Sequence, residues 1–142
     1  MKKLVYLFLS IAMLAFIFGN SLLDADGSRE GSLFVTALVQ RVSDWLGFAV
    51  TPGRLHVLTR KGAHFAEYAL QGFFLVKAFA AFGVRRKVSL PYILLAGLLT
   101  AVIDENIQLY SAGRSGEVAD ILLDFSGTLL GILVAFLTGS GR

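Results

Sequence analysis

Four carboxylates stand where hydrocarbon-facing residues belong. Asp104, Glu105, Asp120 and Asp124 fall within Thr100–Gly131 (TAVIDENIQLYSAGRSGEVADILLDFSGTLLG), where two apolar runs flank a short polar loop. An ionised carboxylate at the centre of a bilayer helix costs about 2.5–3.5 kcal/mol, so four facing lipid would cost on the order of 10 kcal/mol. They must therefore face protein or water, and they need partners. Arg114 lies in the loop between the runs, and His64 and Glu67 sit in an earlier apolar run. An imidazole titrates near neutrality and suits general acid–base work. A guanidinium such as Arg114, with Lys61, can hold a phosphate or carboxylate. The carboxylates can orient His64 or hold a divalent metal through oxygen. The sequence has no nucleophile motif and no recognised metal-ligand spacing, so no metal ligands are assigned and the cofactor is left open.

The background to these residues is a membrane composition. Of 142 residues, 56% are hydrophobic and 16% charged, against about 25% charged in a soluble domain. The length suits one domain spanning residues 1–142. The absence of cysteine excludes disulfides, zinc thiolate sites and cysteine nucleophiles. No basic patch interleaved with aromatics points to nucleic acid.

The elements that must position the polar residues follow from the apolar runs. Lys2 and Lys3 precede a run over about 4–23, long enough to cross ~30 Å of hydrocarbon. The segment Phe16-Ile17-Phe18-Gly19-Asn20 lacks a small-x-small cleavage site, which favours a retained first helix over a cleaved signal peptide. A polar linker, Asp24–Ser32, comes next. Over Leu33–Leu46 the residues Leu33, Phe34, Ala37, Leu38, Val42 and Trp45 recur at helical spacing. At that length the segment is too short to span. It is expected as an amphipathic helix lying in the interface, or as an ordinary loop helix packed on the bundle. Further spans are expected over about 61–83, 89–110 and 118–138, with Pro91 in the first turn of the third. The fold class expected is therefore all-α: an integral membrane four-helix bundle with an extracytoplasmic amphipathic helix between helices 1 and 2.

The positive-inside rule places Lys2, Lys3 and the Arg85-Arg86-Lys87 turn in the cytoplasm, so both termini are expected there. At about 1.5 Å per residue, His64 and Glu67 then lie near the outer end of the second span. Asp104, Glu105 and Gln108 lie near that of the third, and Asp120 and Asp124 near that of the fourth. Lys77 lies toward the inner end and can snorkel. On the fourth helix Asp120, Asp124, Gly127 and Gly131 share one face, and Gly127-x-x-x-Gly131 is a close-packing signature. Gly97, Ala101, Asp104 and Gln108 share a face of the third. These positions predict one polar pocket opening to the outer face.

The same residues carry a resemblance. Arg60-Lys61-Gly62-Ala63-His64-Phe65-Ala66-Glu67-Tyr68-Ala69-Leu70 resembles the first signature of the VanZ-like membrane protein family. Asp104-Glu105-Asn106-Ile107-Gln108, with Gly113-Arg114, Asp120, Asp124 and Gly127, resembles the second. The resemblance implies a small multi-pass protein of the bacterial cytoplasmic membrane, in a family named for members that lower susceptibility to teicoplanin. It implies no agreed reaction. Three readings stay open at this point. In one, the pocket binds an envelope lipid, a lipid-linked wall precursor or a glycopeptide, through Lys61, Tyr68, Asp104, Gln108, Arg114, Asp120 and Asp124. In another, an enzyme uses His64 as acid or base with Glu67 and Glu105. In the last, the polar cluster only pins the helices in register. An Arg114–Asp120 salt bridge is expected in each.

Overall fold

The computed structural model describes residues 1–22, 36–42, 44–45, 51–110 and 116–139, and every regular element among them is helical. Four long helices follow in chain order: α1 (Lys2–Ser21), α2 (Pro52–Ala81), α3 (Arg86–Gln108) and α4 (Val118–Leu137). Three of them, α1, α3 and α4, are long and apolar enough to cross a membrane. The fourth, α2, has the length, at 30 residues, but carries Arg54, Arg60, Lys61, Glu67 and Lys77. Its position answers that charge. α2 packs against each of the other three, with α1 and α4 also packing on α3. The least apolar helix is thus packed against all of the others, while Phe8, Leu95, Leu122 and Leu133 of its neighbours point outward.

Two boundaries differ from the sequence expectation. α2 begins at Pro52 rather than near Lys61, because proline at the first helical position has the right φ and no donor to lose. Its polar first turns hid this start from a reading based on apolar runs. α3 begins at Arg86, so Pro91 lies inside the helix and beyond its first turn. The ring removes the donor to the Lys87 carbonyl, and Lys87 is exposed where water can replace it. Between α2 and α3, Gly83 takes a φ of +77°, and the N–H groups of Gly83 and Val84 return to the carbonyls of Ala80 and Phe79. That left-handed cap ends α2 and reverses the chain.

Glycines set the closest approach. A Cβ on Gly127 would meet the Phe65 carbonyl and Tyr68, and one on Gly131 would meet the Ala69 carbonyl and the Phe73 nitrogen. From the other side, Gly72 faces the Thr128 backbone. α2 and α4 therefore touch backbone to backbone, the contact that small residues permit. Gly97 of α3 receives the buried Thr128 side chain. Val76, Ile93, Ile132 and Ala135 form an apolar core in one half. Ile17, Tyr68 and Ala101 form a second beneath the polar end.

Between α1 and α2, residues 36–42 and 44–45 are helical, with Leu38, Val39, Val42 and Trp45 exposed. Gln40 Nε2 donates to Asp44 Oδ1 at 2.8 Å. The remainder of the predicted amphipathic segment, including Leu33, Phe34 and Leu46, lies outside the described residues.

Candidate functional site

Up-and-down chain direction brings the C-terminal ends of α1 and α3 beside the N-terminal halves of α2 and α4. Asn20 and Ser21, Asp104 to Gln108, Lys61 to Tyr68, and Glu117 to Asp124 consequently share one end of the molecule. Asp104, Glu105 and Asp124 are 0%, 4% and 2% exposed, and Tyr68 is fully buried.

Each acid has a distinct environment. Asp120 is held by the Lys61 ammonium, which also stands 3.9 Å from Glu117 Oε2. Asp120 lies in the first turn of α4, where the helix dipole favours negative charge. Glu67 Oε1 accepts from Asn20 Nδ2 at 3.1 Å, joining α2 to α1. Glu105 Oε1 accepts the Glu117 backbone N–H at 2.6 Å, so a carboxylate from α3 caps the start of α4. Gln108 Nε2 donates to Asp104 Oδ2 at 3.2 Å and to Ser21 Oγ at 3.5 Å. His64 Nδ1 lies 3.7 Å from Asp104 Oδ2 and 3.9 Å from Asp124 Oδ2. Both separations lie beyond the distance of a direct N–H···O hydrogen bond. One ligand atom from each of His64, Asp104 and Asp124 lies within 4.8 Å of the other two. Tyr68 sits in the field of Asp104, Asp124 and Glu67.

A cavity of about 10 Å³ lies among these groups, lined by His64, Glu105, Gln108 and Asp124, with Arg60, Lys61 and Asp120 also on its wall. Such a space takes about one water molecule or one ion. Glu105 Oε2 and Glu67 Oε2 are buried without a hydrogen-bond partner among the described residues. A buried polar atom left in that state costs about 1–3 kcal/mol, and more when charged.

All the predicted site residues except Arg114 thus meet at one end. Arg114 lies outside the described residues, as does the expected Arg114–Asp120 pair; among the described residues Asp120 is held by Lys61. Sequence reasoning did not assign Asn20, Ser21, Glu117 or Arg60 to the site. The signal for the first two was available: they close α1 at the level where the acids of α3 begin. Chemically, the arrangement sets one imidazole between two carboxylates from different helices, able to accept and return a proton, beside two cations that can receive an anionic group.

No match is found among curated proteins or among solved structures. The VanZ/LLP1 family model matches residues 5–139, which takes in nearly all of α1, all the polar groups described above and the whole of α4. On that match the chain belongs to the VanZ/LLP1 family.

Proposed function

We propose that the chain is a four-span protein of the bacterial cytoplasmic membrane whose polar end faces the outer leaflet. There it binds the anionic part of an envelope lipid, a lipid-linked wall precursor or a glycopeptide, and contributes to teicoplanin-type resistance. The observation that carries this reading is the convergence of Asn20, Lys61, His64, Asp104 and Asp120 from all four helices at one end. Ionisable groups kept at membrane depth are costly and are generally functional. Orientation draws support from the other end, where Lys3 lies 5.9 Å from the Phe82 ring and so beside Arg85 and Arg86; such a cluster belongs in the cytoplasm. The exposed helical residues 36–42 and 44–45 then lie outside, with Trp45 at the interface.

The cavity is too small to enclose a head group. Ligand contact is therefore assigned to its rim, where Arg60 and the half-buried Lys61 offer positive charge. A second reading rests on His64 standing between Asp104 and Asp124: an enzyme acting on a lipid-linked envelope substrate, with His64 as acid or base. One experiment tests both. A deletion strain should become more susceptible to teicoplanin, and wild-type chain should restore it. If binding alone matters, Lys61→Ala should fail to restore resistance, and wall precursors incubated with purified protein should keep their mass. A changed precursor mass that His64→Ala abolishes selects the enzyme. Unchanged susceptibility in the deletion strain sinks the resistance role.

A further inference from the structure

The three donors His64, Asp104 and Asp124 come from α2, α3 and α4, so no spacing along the chain announces them together. Their ligand atoms lie within 4.8 Å of one another, with His64 Nδ1 at 3.7 and 3.9 Å from the two carboxylates. Atoms bound to one zinc-sized ion stand about 3.0–3.5 Å apart, given bonds of about 2.0–2.2 Å. The imidazole–carboxylate separations are thus too long for direct hydrogen bonds and within a small side-chain rotation of a shared coordination sphere. A cavity of about 10 Å³ adjoins the cluster on the side of His64 and Asp124, though Asp104 is not on its wall, and it takes one water or ion rather than an organic ligand.

An independent observation comes from Glu105. Its side chain is buried and lines the same cavity, yet Oε2 has no hydrogen-bond partner among the described residues while Oε1 caps α4. A buried, unpartnered acceptor on that wall suits a water carried by an ion; Glu105 itself is not one of the three residues whose ligand atoms cluster. Charge agrees, since a dication with neutral imidazole balances two aspartates, the compensation that burial at membrane depth demands.

The geometry points to a divalent metal site formed by His64, Asp104 and Asp124, with Glu105 beside it. One imidazole and two carboxylates, with no thiolate, favour a first-row ion of the zinc or manganese kind over a soft one. Gln108, donating to Asp104 Oδ2, orients one ligand from behind. The site also makes the three helices mutually dependent, because each contributes one donor. It goes beyond the binding reading above and holds whatever the rim receives.

The full chain, purified in nanodiscs, stripped with EDTA and reloaded with Zn²⁺ or Mn²⁺, tests this by elemental analysis and thermal unfolding. The expected result is one ion retained per chain and a thermal midpoint raised by several degrees. His64→Ala, Asp104→Asn and Asp124→Asn should each weaken binding by roughly tenfold or more. Retention well below one ion per chain overturns the proposal, as does wild-type affinity in Asp104→Asn and Asp124→Asn. If those variants do not accumulate, the wild-type protein decides alone. Pulsed EPR of the Mn²⁺-loaded chain should read a directly coordinated imidazole nitrogen, and an all-oxygen sphere overturns the assignment. None of these readouts depends on teicoplanin, so the site and the resistance role can fail separately.

Discussion

The two ends of the molecule handle charge in opposite ways. At the basic end the cations stay at the periphery. Lys77 Nζ donates to the Ala135 carbonyl at 3.3 Å and to Thr138 Oγ1 at 3.2 Å, and lies 5.1 Å from the Phe73 ring. Arg86 stacks over Phe136 at 4.8 Å and donates to the Gly139 carbonyl at 3.4 Å. These are the last carbonyls of α4 and the residues just after it, where positive charge is favoured. They rim a cavity of about 510 Å³. At the other end Asp104, Glu105 and Asp124 are buried, and the space that Glu105 and Asp124 line is some fifty times smaller. Helix-end electrostatics accounts for the basic end without further purpose. It accounts for Glu105 Oε1 and for Asp120 at the polar end, but not for two buried aspartates and an imidazole drawn to one point. Cavity size, by itself, would select the basic end.

The comparison breaks most severely if the seam between α2 and α4 is opened, because that seam holds Asp124 beside His64. A Cβ on Gly131 meets the Ala69 carbonyl with no flexible side chain to yield. Gly131→Ala should cost on the order of 1–3 kcal/mol, the usual penalty for overpacking, and displace the polar end although the substitution lies in the apolar half. Thermal unfolding in detergent and membrane abundance measure it. A wild-type midpoint would mean that the two helices can separate freely and that the close approach does not hold the acids.

A smaller effect separates the rim from the interior. Lys61 and Asp120 form a partly exposed pair at the mouth, so their coupling should be about 1 kcal/mol or less. Lys61→Asp places three acids together with Glu117 and should lower stability. Adding Asp120→Lys should recover most of the loss, as a double-mutant cycle would register. Failure of the swap to rescue would assign Lys61 to a partner other than Asp120.

Much of this arrangement was legible because membrane burial makes polar residues conspicuous. The all-helical class, the Val118 start of α4 and the shared face of Asp120, Asp124, Gly127 and Gly131 all follow from apolar runs and helical period. The start of α2 did not, since Arg54, Arg60 and Lys61 hide a helix that begins at Pro52. The pairing of Asp120 with Lys61 is not legible for a related reason. Arg114 is near it in sequence, but Lys61 reaches it across the α2–α4 contact, and chain proximity carries no information about a helix fifty-nine residues away. Asn20 gets no site role from the sequence, because one amide at the end of an apolar run carries no sign of its partner. Its role appears only when Glu67 is placed opposite. The convergence of His64 with Asp104 and Asp124 depends on three helix rotations at once, and periodicity along single helices cannot supply their relative phase.

The smallest expected effect sharpens the contrast from the basic side. Lys77 lies within α2 and would be expensive if it faced lipid at the centre of a span, yet its stem runs past Phe73 and its ammonium reaches the end of α4. A side chain that snorkels in this way gives up only long, weak contacts when replaced. Lys77→Met keeps the stem volume and removes the charge, so its thermal midpoint should stay close to wild type, within about 0.5 kcal/mol. Asp104→Leu, a change of comparable size at the buried end, should not be tolerated in the same way, because it leaves His64 and Gln108 without an oxygen they both face. If Lys77→Met proved the more damaging of the two, charge at the basic end would be structural in the sense reserved here for the acids, and the asymmetry between the ends would have to be drawn the other way round.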